Sequence, residues 1–91
     1  MTEQEVNRIL AEFEGWNKIP NSYMEQMQRN DEYKYLFDFG YTYDWNDFHR
    51  VWMKFTTSDY LVIKQIQQLI THDPTPFQAS YQLAKIIKLG K

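Results

Sequence analysis

Tyr33-Lys34-Tyr35-Leu36-Phe37-Asp38-Phe39-Gly40-Tyr41 places an aromatic ring at every second position. Successive side chains of a strand point to opposite faces, so this period of two predicts an extended segment with one face buried and the other wet. The stretch decides the fold class, because the segments on both sides of it carry helical spacing instead. Together they predict an α+β fold: a small single domain over residues 1–91, with three or four helices packed on a short aromatic-rich β-sheet or hairpin.

Immediately downstream, Asp44 is placed to cap a helix and Asp47 to put negative charge in its first turn. Trp45, Phe48, Trp52 and Phe55 form an aromatic stripe joined by Val51, which extends this helix to about Thr56, where Thr56-Thr57-Ser58 interrupts it. Upstream, Val6, Ile9, Leu10 and Phe13 share one helical face, Thr2 and Glu5 form a capping-box pattern, and Gly15 is placed for a left-handed exit. These signals predict a helix over residues 3–14. Trp16, Ile19 and Pro20 should then pack back onto the core. Asn21 to Glu32 carries no clear period; Met24 and Met27 suggest a turn, Ser22 to Glu25 a short strand, and Asn30-Asp31 a loop.

Beyond the second helix, Val62, Ile63, Ile66, Leu69 and Ile70 follow helical spacing, so residues 59–71 read better as helix than as strand. Asp73-Pro74 breaks the chain. Thr75, Pro76 and Gln78 then open a last helix, with Thr75 as cap, Pro76 where no amide is needed, and Gln78 closing a capping box. Ala79, Leu83, Ile86 and Ile87 form its inner face, flanked by Phe77 and Ala84, while Lys85, Lys88 and Lys91 suit the carboxyl end of the dipole.

Gly15-Trp16, Tyr41 to Trp45 and Thr75-Pro76, in this order around an aromatic strand, resemble the small phage and prophage proteins grouped as the phage α/β/α-sandwich domain family. In that family a Gly-Trp pair closes the first helix, a Tyr-x-x-Asp or Ser-x-Asp-Trp segment opens the second, and Thr-Pro opens the last. The resemblance implies phage or mobile-element origin and an αβ fold, with no activity to carry over. Family members place two or three strands between the second and last helices, and this chain has only Thr57 to Asp73 there.

The composition narrows the classes of function. In 91 residues there are three Trp, seven Tyr and six Phe and no cysteine. Aromatic burial supplies a core without a disulfide, and the lack of cysteine fits a reducing compartment, so a cytoplasmic location is expected. Met1-Thr2-Glu3-Gln4-Glu5 has neither the basic start nor the apolar run of a secretory signal. The longest apolar stretch, Tyr60 to Ile63, is far short of the roughly 20 residues that span a bilayer, so no membrane role is expected. With a formal net charge of −2 and scattered cations, no strong field draws the chain to phosphate backbones.

Candidate sites are few. Asp44, Asp47 and His49 are metal-ligand types in close sequence, but a cap and a first-turn acid explain the aspartates, and residues 47 and 49 point apart on a helix. His72-Asp73 has the composition of a base with an orienting carboxylate, though adjacent residues seldom make that bond. Gly15, Gly40 and Gly90 stand alone, so no phosphate loop exists. No catalytic, cofactor or metal residue is therefore assigned, and no enzyme is expected. Tyr41, Tyr43, Trp45 and Trp52 have the rings for base stacking, but only Arg50 and Lys54 lie nearby as cations, and core packing is the favoured reading for the stripe. The leading expectation is a non-enzymatic protein-interaction module that binds a protein partner or itself, with Tyr41, Tyr43, Arg50 and Lys54 as the candidate surface. A small nucleic-acid-associated protein using residues 41–54 is the alternative.

Overall fold

The first helix, α1 (Glu3–Phe13), begins where the Thr2 hydroxyl accepts the Glu5 amide at 3.2 Å. It ends in a left-handed turn at Gly15, φ +94°, a conformation that costs a residue with a Cβ about 1–2 kcal/mol. A computed structural model describes residues 1–21, 24–55, 64, 67–68 and 75–89 of the chain. Among these, α1 is followed by strands β1 (Asn17–Lys18), β2 (Gln26–Arg29) and β3 (Glu32–Tyr35), a 3-10 turn (Leu36–Asp38), and helices α2 (Trp45–Lys54) and α3 (Pro76–Leu89).

The strands form one antiparallel sheet in the order β1-β2-β3. A two-residue loop, Asn30-Asp31, joins β2 to β3, and Asn30 takes the positive φ of 54° that asparagine tolerates better than most residues. Gln26, Met27, Gln28 and Arg29 stand opposite Tyr35, Lys34, Tyr33 and Glu32. The Ser22 to Glu25 strand reading is displaced: Met24 is in a turn, Glu25 precedes the strand, and Ser22 lies outside the described residues.

The nine-residue strand expected from Tyr33 to Tyr41 is corrected more deeply. Only its first third is strand, since the 3-10 turn at Leu36–Asp38 shifts the phase of the pleat. Leu36, of the opposite parity, enters the core, whereas Tyr33, Tyr35 and Phe37 are exposed. Phe39 and Tyr41 are buried, but from an irregular segment that runs up to the Asp44 cap of α2. Alternation in sequence therefore conceals two groups of aromatics with opposite fates.

Among the described residues, α1, α2 and α3 close the core. α3 packs on both α1 and α2, and α1 also holds the 3-10 turn. Phe48 and Val51 of α2 and Ala79, Leu83, Ala84 and Ile87 of α3 are buried with Val6, Leu10 and Ala11 of α1. Trp45, Trp52 and Phe55 pack at the margin of this cluster rather than within it. The sheet adds Met27, and Trp16 closes edge-on against Phe39 at 5.1 Å between ring centroids. Two cations cap this aromatic corner: the Arg29 guanidinium lies 4.7 Å from the Trp16 ring centre, and Lys34 Nζ 4.9 Å from that of Phe39.

The inner face of α1 is rotated from the expected Val6, Ile9, Leu10 and Phe13 set. Asn7, Ala11 and the following Glu14 are buried, while Phe13 sits at the rim against Phe55, with ring centroids 6.0 Å apart. At the start of α3 both halves of the capping box form, Gln78 N–H donating to Thr75 Oγ1 at 3.2 Å and Thr75 N–H to Gln78 Oε1 at 3.3 Å. Ser80 is buried and donates to the Tyr41 carbonyl, tying α3 to the irregular segment. The helix expected over 59–71 lies outside the described residues, except that Lys64, Gln67 and Gln68 are helical and exposed.

Candidate functional site

Two features of the molecule go beyond core and cap. The first is a charge cluster around Glu14, whose side chain is fully buried at the end of α1. Arg50 of α2 grips it with two bonds, Nε to Oε2 at 2.8 Å and Nη2 to Oε1 at 3.0 Å, and the Tyr41 hydroxyl donates to Oε1. Arg50 Nη1 reaches Asp47 Oδ1 at 2.8 Å, and Asp47 Oδ2 accepts the Gly40 amide at 3.1 Å. A Cβ at Gly40 would come within 2.5 Å of that carboxylate oxygen, so glycine is needed for this close approach.

The electrostatics follow from these contacts. Burial works against the Glu14 carboxylate, but the bonds from Arg50 and Tyr41 and the charges of Arg50 and Lys54 outweigh it, holding the pKa below the ordinary 4.5. Burial, reinforced by the bond to Glu14 and its charge, pushes the Tyr41 phenol well above its usual range. The bond to Glu14 raises Arg50 further, against the opposing pull of burial. Chemically this is a lock: it joins α1, the 39–44 segment and α2, with both carboxylate oxygens of Glu14 and of Asp47 engaged.

The second feature is the outer face of the hairpin. Gln26 and Gln28 of β2 and Tyr33 and Tyr35 of β3 point away from Met27 and the core, by the alternation of the pleat. Tyr33 is 60% exposed and Phe37 55%, and Phe37 stacks on Tyr35 with ring centroids 5.5 Å apart and planes within 6°. Gln28 Nε2 donates to the Tyr33 hydroxyl at 3.3 Å. Beside this ledge lies the outer edge of β3, with which no strand pairs among the described residues. Its phase is fixed by the Leu36 N–H bond to the Glu25 carbonyl and the Ile19 N–H bond to the Gln26 carbonyl. Backbone groups of Glu32 and Lys34 therefore face β2, and those of Tyr33 and Tyr35 face the open edge.

The residues singled out from the sequence divide accordingly. Tyr41, expected on an interaction surface, is wholly buried, because its ring stacks on Phe39 and its hydroxyl serves Glu14. Arg50 is half-exposed but committed to Glu14 and Asp47. Tyr43 is exposed, as is Lys54 at the end of α2, so these two remain on the surface. Asp44 accepts the Asn46 amide at 2.9 Å as the cap of α2, Asp47 serves Arg50, and His49 lies against the Trp45 and Phe48 rings. These three have separate partners, and among the described residues no three metal-ligating side chains are grouped. His72-Asp73 lies outside the described residues. No described helix is long and apolar enough to cross a membrane.

Glu14, Tyr33, Tyr35 and Phe37 were the residues hidden from sequence reasoning. A signal for Glu14 existed: it stands four residues after Leu10 and eight after Val6, on the buried face of α1. No comparable signal separates Tyr33 and Phe37 from Phe39 and Tyr41.

Comparison with protein-family models, curated proteins and solved structures finds no match to this chain.

Proposed function

We propose that the protein is a non-enzymatic interaction module that docks a protein partner on the outer face of its β2–β3 hairpin. One observation carries this reading: three aromatic rings, Tyr33, Tyr35 and Phe37, stand on the solvent side of the sheet next to a strand edge that pairs with no other strand among the described residues. Aromatic residues are the characteristic anchors of protein interfaces, and an open edge offers a partner main-chain hydrogen bonds as well. The chain has other rings that satisfy its core, so these three are not required there. A phage or prophage setting, implied by the resemblance at Gly15-Trp16, Tyr41 to Trp45 and Thr75-Pro76, belongs to the same proposal.

The nucleic-acid alternative over residues 41–54 draws less support, since Arg50 is neutralised by two carboxylates and Tyr41 is buried. The test uses the intact protein as bait, wild type beside Phe37→Ser and Tyr33→Ser. A partner retained in high salt by the wild type and lost by both variants, with melting temperatures unchanged, is the expected result. Equal retention by all three baits would reject this docking face, and retention that vanishes steeply with salt would favour nucleic acid.

A further inference from the structure

We infer that the occupant of the β3 edge is a second copy of this chain, paired antiparallel across a twofold axis with Tyr33 opposite Tyr33. This rests on the docking reading above and names its partner. Tyr33 and Tyr35 point their backbone N–H and C=O groups outward, so a register centred on Tyr33 lets the two Tyr33 residues exchange both N–H···O=C bonds. Glu32 of each copy then stands opposite Lys34 of the other. That position is a non-hydrogen-bonded pair, in which facing side chains come closest.

The charges select this arrangement. Lys34 is half-buried on the core side of an edge strand, its ammonium held across Phe39. An inward lysine on an edge repels an arbitrary incoming strand, which would leave it unpaired. A strand with a carboxylate opposite Lys34 relieves that penalty, and Glu-Tyr-Lys is its own complement when run antiparallel. Centring the axis on Lys34 instead would place two ammonium groups face to face. Glu32 has only a long 3.8 Å contact with Arg29 to give up. On the outer face the same register sets the two Tyr33 rings side by side and extends the aromatic ledge across both copies. The assembled sheet would run β1-β2-β3-β3-β2-β1, an isologous contact that closes on itself.

The four-residue strand makes this a small interface, so association belongs in the range of about 10 μM to 1 mM. Sedimentation equilibrium of the full chain over that range should show a monomer–dimer equilibrium. Glu32→Lys or Lys34→Glu alone puts like charges opposite each other and should weaken dimerisation about tenfold. The double variant restores the pairing, and an equimolar mixture of the two single variants forms heterodimers more readily than either self-associates. Melting temperatures within a few degrees of wild type show that the variants fold. A wild type that stays monomeric, or dimers indifferent to both single variants, would overturn the inference. A monomeric wild type that still captures another protein through Tyr33 and Phe37 would overturn the self-pairing alone and leave the docking face standing.

Discussion

At the scale of single residues, Glu14 and Arg50 make unequal contributions to their shared ion pair. Glu14 is fully buried, whereas Arg50 is 48% exposed and can be resolvated when its partner is lost. Arg50→Ala leaves a carboxylate buried with only Tyr41 to serve it and should cost about 3–5 kcal/mol at neutral pH. Glu14→Gln keeps the shape and should cost about 1–3 kcal/mol. Urea denaturation of the two variants measures this order directly. The pH dependence follows from the directions of the shifts. Glu14 titrates lower in the folded than in the unfolded chain, so its contribution is complete above the ordinary carboxyl value of 4.5 and is lost as the pH falls through the depressed folded value. Tyr41 is shifted the other way: its contribution is complete below the ordinary phenol value of 10.0 and is lost as the pH rises beyond it. Stability should therefore be flat between these limits. Glu14→Gln should remove the Glu14 part of the acid limb and soften the alkaline one, because burial without the Glu14 charge then holds the Tyr41 phenol up less.

At the scale of elements, the helices rest on local chemistry and the sheet on its context. Phe48 is fully buried in α2 and Trp52 stands at the core margin, so Phe48→Ala should cost about 3–5 kcal/mol and Trp52→Ala distinctly less. Thermal melts of the two variants check the order; a larger loss at Trp52 would mean that the aromatic stripe faces the core differently. Thr75→Ala removes an observed cap and should cost about 0.5–2 kcal/mol. The helix starts at Thr2, Asp44 and Thr75 were legible because caps act over three residues and need no knowledge of the rest of the chain. Gly15 was legible for the same reason. The phase break at Leu36–Asp38 was not, since a 3-10 turn leaves an alternating sequence intact while reversing which side chains face inward. Nor was the commitment of Arg50: its partner Glu14 lies 36 residues earlier, and only the tertiary fold, with α1 and α2 both packed on α3, brings them together.

At the scale of the whole molecule, the structure segregates its aromatic residues. Trp16, Phe39, Tyr41 and Phe48 satisfy the interior, two of them capped by the cations of the inner sheet face. Tyr33, Tyr35 and Phe37 are left on the far side of the hairpin, beside a β3 edge with which no strand pairs among the described residues. The charge lock at Glu14 joins α1, α2 and the 39–44 segment without using any of these rings, so loss of the exposed rings should leave the fold intact. This separation supports the proposed docking surface: substitutions there should alter association without altering stability. Phe37→Ser should accordingly melt within a few degrees of the wild type while losing its partner.

The central claim, that the outer edge of β3 is open in the isolated chain and closes on docking, is tested most directly by residue-resolved amide hydrogen exchange. In dilute protein, Lys34 and Leu36, whose backbone groups face β2, should be protected, whereas Tyr33 and Tyr35 should exchange fast. Raising the protein concentration should then slow exchange at Tyr33 and Tyr35 selectively. Protection of Tyr33 and Tyr35 equal to that of Lys34 in the dilute monomer would contradict the account, because the edge would already be covered within the chain.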